Sequence, residues 1–374
     1  MLRPVPEVSI IVPTINESEN LPALLEQIAA ALQGVDFEAI IVDDDSTDNT
    51  PAVCADLARK YPVTLLTRRN PVDGLSGAVL HGMAQAKGEY LVVMDADLQH
   101  PPTRLPALLE PLRNSQAEFV LGSRYVEGGG TADGWTLFRR ANSFVATLLA
   151  RPFAGKITDP MSGFFALRRT TFTQGKRLAP LGYKVALELM CKCPIQTVKE
   201  IPIHFGLRTR GQSKLSLKQQ FRYLEHLSRL YDFKFPRASP TVKFLIATVA
   251  GWLAGAAAYL ALRQSDCPPV FSATAAYAPV ILVTALLHLR YVRTQRPFII
   301  RPRPWVDFAI ISFCEWLSCW LCAAWIHWRF RPADWTEGLV YPFAVATVVR
   351  YILRKEFLQD IRGLRRETRA EELR

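Results

Sequence analysis

Short apolar runs alternate with stretches of helical period through the first two thirds of the chain. Val8 to Val12 is β-branched and closed by Pro13, and after the polar Asn16-Glu-Ser-Glu-Asn segment Leu21, Leu24, Leu25, Ile28 and Leu32 recur at helix spacing. The unit repeats. Ala39 to Val42 is apolar, Asp43 to Asp48 is a polar loop, and Thr50 with Pro51 reads as N-cap and first helical residue. Val63 to Leu66 as strand, Leu75 to Ala86 as helix, a strand opening at Tyr90, Leu105 to Leu112 as helix and Phe119 to Leu121 as strand continue the alternation. A helix-like segment around Arg139 and a final strand at Ile201 to Phe205 follow. This alternation predicts an α/β, Rossmann-like fold with a mostly parallel sheet and helices on both faces.

The pattern then changes. From Leu217 to Tyr231, Phe221, Leu224, Leu227, Leu230 and Tyr231 recur at helical spacing among basic residues, as in a helix lying on a membrane surface or packed on the domain before it. Val242 to Leu262 carries no charge between Lys243 and Arg263 and is long enough to cross a bilayer. Phe271 to Leu289 and Val306 to Trp328 also qualify, and Gly338 to Leu353 is a shorter fourth that carries Arg350. Arginines between the second and third spans and in the tail place both segments in the cytoplasm by the positive-inside rule, which favours four spans. Glu315 in the third span would cost about 2.5–3.5 kcal/mol facing lipid, so it is expected to face the bundle interior.

Composition narrows the partners. The chain has 374 residues, 49% hydrophobic, and a formal charge of +11, which fits more than one domain and a partner of negative charge. Seven scattered cysteines without zinc spacing read as reduced thiols. The N-terminus lacks the pattern of a secretory signal, so the front half is expected in the cytosol.

Acidic residues follow two of the strands, where an open α/β sheet binds its ligands. Asp95-Ala-Asp97-Leu-Gln99 closes the run that begins at Tyr90, and its oxygens suit Mg²⁺ or Mn²⁺ held jointly with phosphate. Gly122-Ser-Arg124-Tyr125, Asp159-Pro-Met-Ser-Gly-Phe and Arg208-Thr-Arg-Gly211-Gln-Ser-Lys214 supply further polar loops. No Gly-x-Gly-x-x-Gly follows a strand and no P-loop is present, which speaks against a dinucleotide oxidoreductase and a P-loop ATPase. A nucleotide diphosphate gripped through a hard metal fits better.

These motifs, with Pro13-Thr-Ile-Asn-Glu17 and Val42-Asp-Asp44-x-Ser46-x-Asp48, resemble in order and spacing the family 2 glycosyltransferases of the polyprenyl-phosphate (dolichyl-phosphate) mannosyltransferase type. The resemblance covers about residues 8 to 235, and the last part is similar to the GtrA-like transmembrane module. It implies a nucleotide-diphospho-sugar transferase domain at 1–215, an amphipathic interfacial helix at 216–238, four transmembrane helices at 239–356 and a basic tail at 357–374. It implies a donor site of Pro13, Ile15, Glu17, Val42, Asp44, Asp95, Ala96, Asp97, Gln99, Arg208 and Lys214. Asp97 and Gln99 would hold the metal, and Arg124, Arg139 and Ser143 the acceptor phosphate. Asp95, Asp97 and Arg124 would carry catalysis. Ile15 stands where the family has tyrosine, which loosens the expectation about the base.

The implied partners are a nucleotide sugar such as GDP-mannose, a polyprenyl phosphate and a membrane, with no nucleic acid. The implied reaction is inverting transfer at the cytoplasmic face of the cell (inner) membrane. UDP-glucose or an amino-sugar donor, and a lipid-sugar transport scaffold with a vestigial catalytic domain, are the competing readings. A phosphate monoester has a second pKa of about 6 and is already a nucleophile at neutral pH, so such a site needs no histidine base. His81, His100, His204 and His226 are therefore expected to be structural or surface residues.

Overall fold

The computed structural model describes residues 5–131, 137–182, 184–206, 217–236, 238–291, 304–330 and 335–358; the side chains of 137–143, 217–219, 288–291, 304–307, 335–337 and 354–358 lie outside the description. The chain divides into two compact units, Met1–Lys234 and Phe235–Arg374.

The first unit begins with β1 (Val8–Thr14), α1 (Leu21–Ala31), β2 (Phe37–Asp43), α2 (Thr50–Leu57), β3 (Val63–Thr67), α3 (Gly74–Gln85) and β4 (Tyr90–Val93). After a 3-10 turn at Pro102–Arg104 come α4 (Leu105–Arg113), β5 (Phe119–Ser123), β6 (Gly130–Thr131), α5 (Leu137–Ala154), β7 (Phe165–Arg168) and α6 (Arg169–Thr173). It closes with α7 (Val185–Lys192), β8 (Val198–Pro202), β9 (His204–Phe205) and α8 (Leu217–Lys234). The seven-stranded sheet runs β3-β2-β1-β4-β7-β5-β8, parallel except for β7, which is antiparallel to both neighbours. The fold is the expected Rossmann-like, mostly parallel sheet. Two core clusters cover its faces, one with Ile11, Val42, Leu91 and Phe119, the other with Ile10, Val12, Val92 and Val120, as period-2 alternation demands of a strand buried on both sides.

The strand order reverses between β1 and β4, and ligand crevices open at such a switch point. Three details differ from the sequence reading. Pro13 lies within β1, opposite Val42, instead of ending it. The β1–β4 ladder stops at Ile11 and Val93, so proline's missing N–H breaks no pairing on that side. Thr50 is the first helical residue and its hydroxyl turns to Asp48. The expected last strand is two, β8 and the short β9, which pairs with β6.

One side of α8 packs on the unit. Leu227 and Leu230 are buried, Tyr223 Oη donates to the Ala146 carbonyl across 2.7 Å, and His226 meets Glu188 of α7. Phe221 and Leu224 are exposed, as are Phe144, Val145 and Leu148 of α5.

The second unit consists of α9 (Ser239–Gln264), α10 (Pro269–Tyr291), α11 (Pro304–Phe330) and α12 (Trp335–Leu358). Among the described residues, the apolar stretches Ser239–Gln264, Pro269–Leu287 and Phe308–Phe330 are long enough to cross a membrane, whereas the Gly338–Leu353 stretch of α12 is shorter. Tyr259, Tyr277, Val280, Cys319 and Phe343 fill the middle, and Glu315 faces the interior at 1% exposure, as expected.

Candidate active site

The carboxyl ends of β1 and β2 are clasped by their own loops. Asn16, at φ 57°, accepts the backbone N–H groups of Thr47 at 2.8 Å and Asp48 at 3.3 Å on Oδ1, while its own N–H donates to Ser46 Oγ. Asp43 is buried and takes the Ser46 hydroxyl; Asp48 takes the Ser18 N–H and the Thr50 hydroxyl. Burial works to raise the Asp48 pKa, but these hydrogen bonds outweigh it and bring the group to about 2. Asp43 and Asp48 are therefore spent on loop structure.

Asp44 is different. Arg68 Nη1 stands 3.0 Å from its Oδ1 without hydrogen-bond geometry, so a buried carboxylate oxygen retains capacity to accept. Burial raises its pKa, and Asp43 adds to that, against the opposing charge of Arg68. Ile15 is exposed beside these loops, whereas Pro13 and Val42 are buried, Val42 in the core; Glu17 accepts the Asn20 side-chain amide at 2.7 Å.

At the end of β4, Ala96 and Asp97 are buried, and Leu98 adopts φ 62°, a left-handed conformation uncommon for a branched residue. That turn lets the Gln99 N–H donate to Asp97 Oδ1 at 3.2 Å. Gln99 Nε2 donates to the Gly206 carbonyl at 3.0 Å, which leaves Oε1 as the end able to meet a cation. Oxygens of Asp97 and Gln99 are of the kind that would hold Mg²⁺ or Mn²⁺, which typically binds proteins through few side chains. Among the described residues no group of three His, Cys, Asp or Glu side chains converges to make a fuller protein cage.

Asp95 is held from behind. Its N–H donates to His100 Nδ1 at 3.1 Å, and the His100 ring stacks on Phe164 at 5.4 Å and meets Phe205 edge-on at 5.3 Å. A Cβ at Gly163 would approach His100 Cε1 to 3.2 Å and Asp95 Oδ2 to 3.4 Å, so the Asp159-to-Gly163 loop can pass this close because position 163 has no side chain.

Arg124 follows β5 and is gripped at both ends of its fork. Nε and Nη2 donate to Asp159 at 2.7 Å each, and Asp159 is fully buried. The guanidinium lies 5.4 Å from the Phe205 ring, which joins it to the wall behind Asp95. Lys184, just before α7, points into the same space. Its Nζ donates to the Met161 carbonyl at 3.2 Å. Burial first, then the nearby Arg124 charge, lowers its pKa to about 7 despite the carboxylates of Asp159 and Asp95. The sequence reading missed Lys184, which sits in no motif; a lysine opening a helix after Gly182 was the only available signal.

The structure thus brings Asp95, Ala96, Asp97, Gln99 and Arg124 to one rim of the sheet and Asp44 to the neighbouring one. Arg139 and Ser143 lie on α5 with side chains outside the description. Arg208 and Lys214 lie outside the described residues.

Residues 9–175 match the model of glycosyl transferase family 2. The chain is 43% identical over 250 residues to a dolichol-phosphate mannosyltransferase of Pyrococcus furiosus, covering 66% of this chain and 70% of that protein. It is 41% identical over 240 residues to the enzyme of the same description from Saccharomyces cerevisiae, covering 61% of this chain and 88% of that one. Among solved structures, glucosyl-3-phosphoglycerate synthase of Mycobacterium tuberculosis is similar at 21% identity and a TM-score of 0.46, over 61% of this chain and 80% of that one. The chain belongs to glycosyl transferase family 2, in the branch of the dolichol-phosphate mannosyltransferases.

Proposed function

We propose that this glycosyltransferase moves mannose from GDP-mannose to a polyprenyl phosphate, dolichyl or undecaprenyl, at the cytoplasmic face of the cell membrane. The observation that carries this reading is the convergence of Arg124, Lys184 and Asp95, two basic groups and a carboxylate at the rim beside Asp97 and Gln99. A phosphate nucleophile needs cations to hold it and a leaving diphosphate needs charge neutralised; neither needs a general base.

In this mechanism Arg124, kept in one orientation by Asp159, and Lys184 hold the acceptor phosphate, with Arg139 and Ser143 assigned to the same group. Asp44 accepts from the nucleoside, and Asp95 orients the sugar. Asp97 and Gln99 would hold Mg²⁺ or Mn²⁺, which supplies charge neutralisation at the diphosphate. Arg208 and Lys214 would add to that neutralisation. Alignment of the phosphate oxygen opposite the leaving group supplies the rate, and a single displacement inverts the anomeric carbon to give a β-linked lipid phosphate sugar.

The membrane part of the reading rests on the long apolar helices and on the exposed Phe144, Val145, Leu148, Phe221 and Leu224, which suit an interface with lipid. It takes 1–215 as the transferase, 216–238 as the interfacial helix and 239–356 as four spans.

The test is incubation of purified protein with Mg²⁺, polyprenyl phosphate and a panel of labelled nucleotide sugars, with label counted in the organic phase. GDP-mannose is expected to label the lipid; no transfer from any donor overturns the reading, and transfer from UDP-glucose alone replaces the sugar. Asp97→Ala should abolish transfer and weaken Mn²⁺ binding as read by paramagnetic resonance.

A further inference from the structure

Arg350 is 1% exposed inside a helical unit built of apolar helices. Its Nη2 donates to Thr248 Oγ1 of α9 at 2.7 Å and its guanidinium lies 5.1 Å from the Phe244 ring. Its Nε and Nη1 have no hydrogen-bond partner among the described residues, although a buried guanidinium without partners is expensive. The nearest carboxylate, Glu315 of α11, is also 1% exposed, and its Oε2 is 4.0 Å from Nη1, beyond hydrogen-bond length. Another buried donor, the Tyr277 hydroxyl on α10, has no hydrogen-bond partner among the described residues and nears Thr347 without reaching hydrogen-bond geometry.

All four helices therefore contribute polar groups to one interior region. Glu315 lies roughly 16 Å along α11 from its first residue, well inside an apolar span. An ionisable pair at such depth is by default functional, because structure alone is served more cheaply by apolar packing. Guanidinium N–H groups and hydroxyls are what phosphate oxygens bind best, and the long Glu315 contact is the one an incoming oxyanion would replace.

We propose that Arg350, with Tyr277, forms a second lipid-phosphate site within the helical unit, where a lipid's phosphate oxygens take the place of Glu315 as the partner of Arg350. The proposal rests on the membrane reading above and extends it. The ligand is a phosphate group on a lipid; substrate monoester, sugar-bearing product diester and bulk phospholipid share that chemistry.

The test uses the full chain in a phosphate-free maltoside detergent, with Arg124→Ala as background to weaken acceptor binding at the transferase site. Farnesyl phosphate, its mannosyl diester and phosphatidylglycerol are the probes, and calorimetry or native mass spectrometry reads the binding. Adding Arg350→Gln should weaken the bound probe on the order of 10- to 100-fold. Adding Glu315→Gln instead should tighten it at least about 5-fold, because a competing carboxylate is gone. Whichever probe responds identifies the source of the phosphate. A purely structural ion pair predicts the opposite for Glu315→Gln, with weaker folding and no gain in binding. That result, or binding unchanged by Arg350→Gln, overturns the proposal. The melting temperature and helix content of Arg350→Gln with Arg124 intact control for folding. No donor is present in the binding experiment, so failure of the transfer reading and failure of this one are separately visible.

Discussion

The backbone N–H of Asp95 donates to Nδ1 of His100 across 3.1 Å, which fixes the ring as the tautomer protonated on Nε2. Buried between Phe164 and Phe205, His100 acts as a prop that sets where Asp95 stands. His100→Ala removes the acceptor and opens space behind the carboxylate. Misplacement of a positioning group by an ångström costs about 100-fold, so kcat should fall by roughly 10- to 100-fold with donor KM changed less. Steady-state kinetics check this, and His100→Asn, which keeps an acceptor, should recover part of the loss.

Asp159 sets the direction of Arg124. With the partner of a buried pair removed, Asp159→Ala should destabilise the first unit by about 3–5 kcal/mol. Surviving protein at low temperature should show a raised KM for lipid phosphate with little change for the donor. Denaturant midpoints and the two KM values measure both effects; an equal rise in both would move Arg124 to the donor side.

Lys184 should trade stability for function. Its folded pKa of about 7 lies below the roughly 10.4 of an unfolded lysine, so between these values the unfolded chain binds the extra proton and stability rises with pH. Below about 7 the penalty of the buried charge is fully present. Lys184→Met should therefore raise Tm most at and below neutral pH, with the gain fading toward pH 10, while acceptor affinity drops. Thermal melts across pH, paired with acceptor KM, check the sign.

Ile15 is exposed and directly follows Thr14, whose carbonyl accepts the Asp44 N–H, at the place where the resemblance puts a tyrosine. Ile15→Tyr offers a ring to the base, and an aromatic contact is worth about 0.5–1.5 kcal/mol. Donor KM should fall a few-fold with kcat unchanged, measured against GDP-mannose and UDP-glucose in parallel.

Glu188 binds His226 Nε2 at 2.8 Å, Lys192 Nζ at 2.6 Å and the Ala179 N–H at 2.8 Å. Burial acts to raise its pKa, but these donors outweigh it and hold the carboxylate below the usual range. Its contribution to stability is present above the unfolded value of about 4.3 and is lost as pH falls through the lower folded value. Acid should loosen α8 from α7 first, and Glu188→Gln should make amide exchange in α8 fast already at neutral pH.

Much of the molecule was legible in the chain. Short apolar runs ending in Asp43 and Asp95 located the strands and their carboxyl ends, because run length and abrupt polarity are local properties. The same holds for the apolar helices and for the inward-facing Glu315. The loop from Asp159 to Phe165 reads as entering a strand, but nothing local told that this strand, β7, runs antiparallel between β4 and β5 and sets the Asp159-to-Gly163 loop against Asp95. Nor did periodicity point to Lys184, to the backing of Asp95 by His100, or to Arg350 meeting Thr248 across 102 positions. Those relationships depend on which elements become neighbours. Neighbourhood is decided by burying both faces of the sheet and the inner faces of the helices together, so only the tertiary structure could supply it.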